Sequence, residues 1–411
     1  MAKRRYAPEI LKYVIIIPDG AADHPIDHLG GRTPFEAADK PNTDRLSLDG
    51  RQGTVVTTPE GFACGSDVCT MSLLGYDPRQ YHRGRAPLEA AAAGIRMTPS
   101  DWVFRVNFIT VVDGLIQDHS AGHISSQEGA QLLHDLNTRV EMPGIDLYPG
   151  VSYRNIMVDS SQRCDWSGLK STPPHDVPGE PMRRHLPTGC VDATLLQQLI
   201  AESEVLFADH EINRTRRELD EAPATHVWPW GQGRMPQMEP FEERFGLRGA
   251  MITAVDLLAG IASFIGWDRL EVPGQTSYHD TDYTAAGRAA VEALERYDIV
   301  CVHVESPDEA AHDADAATKV AAIEAIDRHI VGPVYDALRN QWPQHRVLYL
   351  PDHYTAVGTR KHDPTPVPFV VCGHRFRGVV QRSFSERHAN EADLHIDFGH
   401  ELMEYFLLSG I

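Results

Sequence analysis

The sequence lacks three features that would each point to a particular environment or partner. No apolar run approaches the roughly 18 residues that a membrane-spanning helix needs. The six cysteines are scattered and form no C-x-x-C pair, which predicts reduced thiols rather than a disulfide framework. Positive charge is also scarce, with 38 Lys and Arg against 58 Asp and Glu and a net charge of −20. The chain therefore lacks the basic field that supplies most affinity for nucleic acid or anionic membranes, and neither is expected as a partner.

The remaining composition is that of an ordinary globular protein. Hydrophobic residues make up 42% and charged residues 23% of the 411 residues, and that length predicts two or three domains. The first apolar run, Val14 to Ile17, ends at Pro18 and is too short for the core of a signal peptide. We therefore expect a cytoplasmic protein, and its oligomeric state stays open between a monomer and a homo-oligomer.

Alternating strand and helix patterns predict a parallel α/β sheet. Runs of β-branched and apolar residues predict buried strands at 13–17, 299–304, 347–350 and 369–372. Helical patterns occupy 250–265, 283–296 and 316–338. We expect an α/β core made of a parallel sheet flanked by helices.

The middle of the chain differs from the rest in composition and in its pattern of apolar residues. It contains a proline-rich stretch at 171–181 and a Trp-Pro-Trp at 228–230, while Ser125 and Glu128 have the spacing of a capping box that starts a helix running to about Thr138. We interpret 96–247 as a second, α+β domain inserted into a core made of 1–95 and 248–411.

Polar residues follow the predicted core strands. They are found where a strand ends or just before the last strand begins: Asp19, Asp308, His312, Asp352, His353 and His362. Ligands of an open α/β sheet bind at the carboxyl ends of its strands, so several of these side chains should converge. Each of them alone is more often a helix cap or a turn residue. Their coincidence at one edge favours a metal site.

Asp and His suit ions such as Mn²⁺, Zn²⁺, Mg²⁺ and Co²⁺. The set exceeds what one tetrahedral site requires, and with a hydroxyl added it can be shared between two ions about 3.5–4 Å apart, the arrangement that clamps both oxygens of a phosphoryl transfer. Ser66 supplies such a hydroxyl, since it follows the small-residue turn 61–65 and precedes an apolar helical run. At this position Ser66 is either a nucleophile next to a phosphate bound at the start of the helix or simply the N-cap of that helix. The spacing alone does not decide between the two.

Eight motifs at these positions, in family order, resemble those of one family. They include IIIPDGAADHPI (15–26), GFACGSDVCTMSLLGYDP (61–78), DHSAGHISSQE (118–128), VHVESPDEAAHDAD (302–315), LPDHYT (350–355) and KHDPTPVPF (361–369). The sequence resembles the archaeal-type branch of the 2,3-bisphosphoglycerate-independent phosphoglycerate mutases, within the alkaline phosphatase superfamily. The resemblance spans almost the whole chain, and it implies an alkaline-phosphatase-like parallel-sheet core.

The resemblance implies residue roles that spacing cannot give. It makes Asp308, His312 and His362 the ligands of one ion, and Asp19, Ser66, Asp352 and His353 the ligands of the other. Ser66 then becomes a phosphoserine and returns the phosphoryl group to another hydroxyl of the same glycerate, as in glycolysis. It also implies two divalent ions, Mn²⁺ first among them, no 2,3-bisphosphoglycerate cofactor, and a small phosphorylated metabolite gripped by His123, Arg85 and Arg154. Their alternatives are a turn histidine and two solvated arginines.

Two competing functions remain at this stage. The Trp-Pro-Trp at 228–230 replaces an Arg-Gly pair of the mutases and resembles a sister group proposed to be homoserine kinases, so a kinase-like phosphotransferase is the alternative. A non-catalytic phosphate-binding protein is the third interpretation, and the complete set of metal-type residues argues against it.

Overall fold

The computed structural model describes residues 11–378 and 381–409. Its contacts divide the chain into two compact units. The first unit combines the described residues up to His82 with those from Met238 onward, and the second unit is Arg83–Gln237. Among the residues described, no helix is both long enough and apolar enough to cross a membrane.

The elements follow one another in both units. The strands in the described residues are β1 (Lys12–Pro18), β2 (Arg51–Val55), β3 (Trp102–Val112), β4 (Leu115–Asp118), β5 (Ile145–Tyr148), β6 (Arg154–Asp159), β7 (His226–Arg234), β8 (Gly249–Ile252), β9 (Asp268–Arg269), β10 (Ile299–Val304), β11 (His345–Tyr349), β12 (Tyr354–Ala356), β13 (Lys361–Asp363), β14 (Val367–Gly373) and β15 (His395–Ile396). The α-helices are α1 (Pro34–Ala37), α2 (Pro41–Asp49), α3 (Ser66–Leu73), α4 (Pro78–Tyr81), α5 (Ala86–Ala92), α6 (Ser126–Arg139), α7 (Ala193–Ala208), α8 (Glu211–Glu218), α9 (Phe241–Phe245), α10 (Asp256–Phe264), α11 (Tyr283–Ala293), α12 (Ser306–His312), α13 (Ala316–Ile326), α14 (Gly332–Gln341), α15 (Glu386–Asn390) and α16 (Leu402–Leu408).

The first unit is built on an eight-stranded sheet in the order β15-β2-β14-β11-β1-β10-β8-β9. All four predicted strands belong to it, and helices α2, α11 and α14 pack against it, which confirms the predicted α/β class. One detail of the prediction is wrong, because β14 runs antiparallel to both of its neighbours. The other strands of the sheet, as described, share one direction.

The reversed strand has a consequence for the site. Val370 of β14 pairs with Tyr349 at the end of β11, so the start of β14 meets the carboxyl ends of the parallel strands. The hairpin of β12 and β13 fills the connection between β11 and β14, and there Thr355 pairs with His362. A residue just before β14 therefore lies at the same edge as residues just after β1, β10 and β11.

Two of the predicted helices differ in the structure: one begins later and one is divided. The pattern at 250–265 is wrong over its first residues, because β8 pairs with β10 there and α10 begins only at Asp256. The pattern at 316–338 is split into α13, a π-helical turn at Asp327–Val331, and α14. Pro333 follows that turn and has no amide hydrogen to continue the helical ladder.

The second unit has an antiparallel sheet of five strands, in which β3 pairs with β4, β6 and β7. The capping box at Ser125 and Glu128 is confirmed: each side chain accepts from the backbone amide of the other, and α6 runs to Arg139. Helices α6 and α7 contribute Leu132, Leu136 and Leu199 to a buried core that also contains Phe104 and Phe108 of β3.

Candidate metal centre

The predicted metal ligands converge within the first unit, at the edge where its parallel strands end. Asp19 follows β1, Asp352 and His353 follow β11, and α12 after β10 carries the pair Asp308 and His312. His362 lies on β13, where its Nε2 is 3.0 Å from His312 Nε2 and 3.5 Å from Asp308 Oδ1. His312 Nε2 is also 3.1 Å from Asp308 Oδ2. These three side chains form one group of ligand atoms.

The hydrogen bonds of the two histidines select the atom that each offers. His312 Nδ1–H donates to the Arg360 carbonyl at 3.0 Å, and His362 Nδ1–H donates to the Cys64 carbonyl at 3.1 Å. Two Nε2 atoms 3.0 Å apart cannot both carry a hydrogen. A carbonyl only accepts, so Nδ1 of each ring carries the hydrogen and Nε2 is the nitrogen available to a metal ion. A cation bound by both Nε2 atoms would account for their close approach.

A second group lies around His353, which is fully buried. His353 Nε2 is 3.4 Å from Asp19 Oδ1, 3.4 Å from Asp352 Oδ2 and 3.3 Å from Ser66 Oγ. Both of these carboxylate oxygens are buried and have no hydrogen-bond partner. A buried carboxylate oxygen without a partner is costly unless a cation or donor meets it.

Thr355 joins the two groups. Its hydroxyl donates to Asp308 Oδ1 at 2.5 Å, so the same oxygen accepts from His353 Nδ1–H at 3.1 Å. His353 Nε2 is then the nitrogen available to a metal ion. Gly20 makes room for this contact: it has φ +58°, and a Cβ there would lie 2.5 Å from Asp308 Oδ1. The sequence analysis did not single out Thr355 for any role.

Ser66 is the first residue of α3, but it does not cap that helix. The N-cap position belongs to Gly65, and no side-chain capping bond is made. The plain capping interpretation of Ser66 is therefore wrong, since its hydroxyl faces His353 Nε2 instead. Its position at a helix start also places it near backbone N–H groups that favour negative charge.

Electrostatics within the centre separate its acids and bases. Burial and the nearby Asp19 carboxylate raise the pKa of Asp352 to about 7. Burial lowers the pKa of His362, but the hydrogen bond to Asp308, the Asp308 charge and the hydrogen bond to the Cys64 carbonyl together outweigh burial and raise that pKa to about 9. Burial also raises the pKa of Asp308, yet its bonds to His312 and His362 hold it well below the usual range. A metal ion must displace the protons of Asp352 and His362.

Two further residues beside Asp19 were missed by the sequence analysis. His303 and Glu305 lie at the end of β10, and one ligand atom from each lies within 4.8 Å of one from Asp19. Glu305 Oε2 is buried without a hydrogen-bond partner. Burial, and after it the negative charge of Asp19, raise the pKa of the Glu305 carboxyl group well above its usual range. The available signal was a histidine inside the otherwise apolar run 299–304.

In the second unit, His123 lies in an ordered turn. It is exposed and has φ 51°. The Gly122 amide donates to Asp118 Oδ2 at 2.6 Å, and the buried Arg216 donates to the Ala121 carbonyl at 3.0 Å. The turn therefore presents the His123 ring from a fixed backbone.

Arg85 and Arg154 approach a shared acid in the same unit. Burial raises the pKa of Glu89, while the charges of Arg105, Arg154 and Arg85 oppose that rise. Arg105 was not predicted: its Nε donates to Glu89 Oε2 at 3.0 Å, and its guanidinium lies 4.1 Å from the centroid of the Trp230 ring. An arginine in an apolar strand gives no sequence signal that separates it from a solvated one.

The donor set fits two divalent ions. Three histidines present Nε2 with Nδ1 engaged elsewhere, and two buried carboxylate oxygens have no partner. Asp308, His312 and His362 would hold one ion, and Asp19, Ser66, Asp352 and His353 the other. The fold and this site together define an α/β protein with an inserted antiparallel unit and a candidate binuclear centre for divalent metals beside a serine.

Comparison with known proteins identifies the family. Residues 48–213 match the family model of 2,3-bisphosphoglycerate-independent phosphoglycerate mutase. The chain is 45% identical to 2,3-bisphosphoglycerate-independent phosphoglycerate mutase 2 of Methanothermobacter thermautotrophicus over 97% of each protein. It is 40% identical to the probable enzyme of Geobacter sulfurreducens over 97% of this chain and 100% of that one. This chain belongs to the 2,3-bisphosphoglycerate-independent phosphoglycerate mutase family.

Solved structures support the fold. The PH0037 protein from Pyrococcus horikoshii matches with a TM-score of 0.82 at 27% identity, covering 97% of this chain and 96% of that one. The cofactor-independent phosphoglycerate mutase from Thermoplasma acidophilum matches with a TM-score of 0.69 at 24% identity, covering 97% and 99%. The second likeness is evidence for the fold alone.

Proposed function

We propose that this protein interconverts 3-phosphoglycerate and 2-phosphoglycerate, with Ser66 carrying the phosphoryl group between the two hydroxyls. The observation that carries the proposal is the position of Ser66 Oγ, which lies 3.3 Å from His353 Nε2 and makes no capping bond. A serine released from capping and placed among metal-type ligands is suited to act as a nucleophile. The family membership supports the same reaction.

The reaction balances without an external donor. Ser66 Oγ forms a bond to phosphorus as the bond between phosphorus and the C3 oxygen breaks, and that oxygen takes the proton released by Ser66. The glycerate then presents its C2 hydroxyl, whose oxygen bonds to phosphorus as the bond between phosphorus and Ser66 Oγ breaks, and the C2 proton returns to Ser66 Oγ. The two ligand groups would hold Mn²⁺, with Mg²⁺, Co²⁺ or Zn²⁺ as alternatives, and such ions would supply Lewis-acid chemistry beside Ser66 that neutralises transferred charge.

The second unit supplies the candidate substrate groups. Arg85 and Arg154 offer guanidinium groups for the carboxylate and the phosphate, and we add Arg105 because Trp230 and Glu89 already fix its orientation. His123 is exposed on its ordered turn and offers a ring nitrogen to the substrate. No 2,3-bisphosphoglycerate is required, since Ser66 itself stores the phosphoryl group.

The Trp-Pro-Trp segment has internal roles in the structure. Trp228 is buried and its Nε1 donates to the Thr172 carbonyl at 2.8 Å, while Trp230 Nε1 donates to Asn107 Oδ1 at 2.9 Å. Both indoles thus serve the packing of β7. Nothing in these contacts favours homoserine as the acceptor.

The test is an assay of the purified protein with Mn²⁺, following phosphoglycerate interconversion with and without added 2,3-bisphosphoglycerate. We expect turnover that does not depend on the cofactor, and no phosphorylation of homoserine by ATP. Interconversion that required the bisphosphate, or none at all beside turnover of homoserine, would overturn the proposal. Binding of less than one ion per chain, with no gain of activity on adding Mn²⁺, would favour a non-catalytic phosphate-binding protein.

A further inference from the structure

His303 is a buried histidine beside the candidate metal centre, and none of the predicted ligand roles includes it. It lies on β10, between apolar residues that fill the sheet, and only 1% of its surface is exposed. Its Nε2 is 2.7 Å from Asp19 Oδ2. A side chain of this kind is either a further metal ligand or a group that acts on Asp19.

The hydrogen-bond partners of His303 decide between these roles. An ionised carboxylate only accepts, so the hydrogen of the bond to Asp19 Oδ2 belongs to His303 Nε2. His303 Nδ1 is 3.0 Å from the hydroxyl of Thr253, which in turn accepts from the Val255 amide at 3.1 Å. Both ring nitrogens are therefore engaged by protein groups.

The three predicted histidine ligands are arranged in the opposite way. In His312 and His362 the Nδ1–H donates to a backbone carbonyl, and in His353 it donates to the Thr355 hydroxyl. In each of those rings Nδ1 is engaged by a protein acceptor, so Nε2, which faces carboxylate oxygens or other ligand atoms, is the nitrogen available to a cation. In His303, by contrast, Nε2 carries the hydrogen.

The two carboxylate oxygens of Asp19 have different surroundings. Oδ2 accepts from His303, whereas Oδ1 is buried without a hydrogen-bond partner, 3.4 Å from His353 Nε2. Rotation of the carboxylate would break the bond to His303. The bond therefore holds the carboxylate plane and directs Oδ1 toward the second ligand group.

We propose that His303 is a positioning residue: by donating to Asp19 Oδ2, and being held itself by Thr253, it orients Asp19 Oδ1 as a metal ligand. The inference rests on the metal centre of the proposed function and adds His303 and Thr253, to which the family resemblance assigned no role. Outer hydrogen-bond partners of metal ligands typically change metal affinity or activity by about 10- to 100-fold when they are removed.

Three variants separate the hydrogen bond from the bulk of the ring. His303→Leu removes the Nε2–H donor and introduces an apolar side chain of similar size. His303→Gln places an amide N–H close to the position of the ring Nε2–H and should restore the donor. Thr253→Val removes the hydroxyl that holds Nδ1 while preserving shape, and it keeps the inference testable if the leucine variant does not fold.

The readout is metal affinity, measured by titrating the metal-free proteins with Mn²⁺ and following free Mn²⁺ by electron paramagnetic resonance. We expect the wild type to bind two ions and His303→Leu to bind one of them about 10- to 100-fold more weakly. The other ion should be affected little, because His303 does not touch Asp308, His312 or His362 in the described contacts. His303→Gln should return most of the lost affinity, and Thr253→Val should show a smaller loss at the same ion.

A matched control is His345→Leu, which removes another buried histidine from the same sheet. His345 is 6% exposed and its Nδ1 donates to the Trp342 carbonyl at 2.7 Å, at the opposite end of β11 from Asp352. We expect a loss of stability with both metal affinities unchanged. This separates a general effect of removing a buried histidine from an effect on Asp19.

The outcomes distinguish this inference from the function on which it rests. If the wild type binds no Mn²⁺, the metal centre is overturned and the inference with it. If the wild type binds two ions and folded His303→Leu or Thr253→Val binds them equally tightly, only the inference fails. A third ion that is bound by the wild type and lost in His303→Gln would make His303 a ligand and would also overturn the positioning role.

Discussion

The first and second units place their functional candidates in contrasting ways. In the metal centre, Asp19, His353 and His362 each have one polar atom engaged by a protein group and another left for a ligand. In the second unit, Arg85 and Arg154 are exposed and share the field of a single acid, Glu89. The first arrangement is preorganised by strands and hydrogen bonds, whereas the second relies on long side chains. Chemistry at the metal centre should therefore be more sensitive to small changes than binding in the second unit.

The largest expected effect comes from Ser66→Ala. If Ser66 is the nucleophile, turnover should fall by about three orders of magnitude or more, since a covalent route is lost. Stability should change by no more than about 0.5 kcal/mol, because Gly65 and not Ser66 occupies the N-cap of α3. Intact-protein mass spectrometry of acid-quenched enzyme with substrate should show one added phosphate on the wild type and none on the variant.

Ser385→Ala is the matched control for that variant. Ser385 caps α15 in the same unit, and its side chain accepts from the His388 amide at 3.2 Å. Its removal should cost about 0.5 to 2 kcal/mol of stability with near-normal turnover. Phosphate on Ser66→Ala, or turnover above a few per cent of wild type, would remove Ser66 from the mechanism.

The sequence predicted where the candidate metal ligands converge, for a physical reason. Residues at the ends of buried strands have their positions fixed by the sheet, so Asp19, Asp308 and Asp352 could be placed at one edge before any coordinates were known. The position of His362 just before a strand did not by itself put it there: a parallel β14 would have placed His362 at the opposite edge, and it reaches this edge because β14 is antiparallel. Strand direction depends on the connection through β12 and β13, which the apolar pattern does not encode.

Other parts of the site were beyond sequence reasoning. Thr355 and His303 act through hydrogen bonds to Asp308 and Asp19, and such partners depend on rotamers and on register between distant strands. Arg105 was missed for a related reason, because only the structure places its guanidinium against Trp230. Sequence patterns locate backbone positions, whereas these roles depend on the directions of side chains.

The pH dependence of metal binding is the next largest expected effect. Asp352, with a pKa of about 7, and His362, with a pKa of about 9, both hold a proton at pH 6. Binding must release these protons, so affinity rises with pH until both groups are deprotonated without metal. Between pH 6 and pH 8 we expect the affinity for Mn²⁺ to increase by about 10²-fold at the ion held by His362 and by about 10-fold at the ion held by Asp352.

Titration calorimetry in buffers of different ionisation enthalpy measures the protons released. Asp352→Asn should bind Mn²⁺ more weakly overall and should release about one proton fewer near pH 6. An affinity independent of pH over this range would show that neither group is a ligand. That result would weaken the contrast between a preorganised centre and a solvated arginine cluster.

A smaller effect is expected from Arg154→Ala in the second unit. Removing one charged contact to substrate should raise KM by about 10- to 100-fold through lost binding, with a modest change in kcat. Affinity for Mn²⁺ should be unchanged, since Arg154 is not among the proposed metal ligands. Steady-state kinetics at saturating Mn²⁺ measure the first effect and the metal titration the second.

The control for Arg154→Ala is Arg139→Ala. Arg139 is another exposed arginine of the second unit, paired with Glu202 at 3.4 Å on the surface. Its removal should leave both KM and kcat close to wild type. Equal effects of the two substitutions on KM would indicate a general field effect and would remove Arg154 as a specific contact.

The most local effect is expected from Gly20→Ala beside the metal centre. Gly20 and Gly246 both have positive φ, +58° and +73°, but a Cβ on Gly20 would lie 2.5 Å from Asp308 Oδ1, whereas a Cβ on Gly246 would meet nothing within 4 Å. Gly246→Ala should therefore cost only the backbone penalty of about 1 kcal/mol. Gly20→Ala should cost about 1 to 3 kcal/mol more, because it must displace Thr355 or Asp308. Denaturant midpoints measure the two losses, and a Mn²⁺ titration should show weaker binding for Gly20→Ala alone. Equal losses with unchanged Mn²⁺ affinity would mean that the contacts of Thr355 adapt freely, and the first unit would then be no more preorganised than the second.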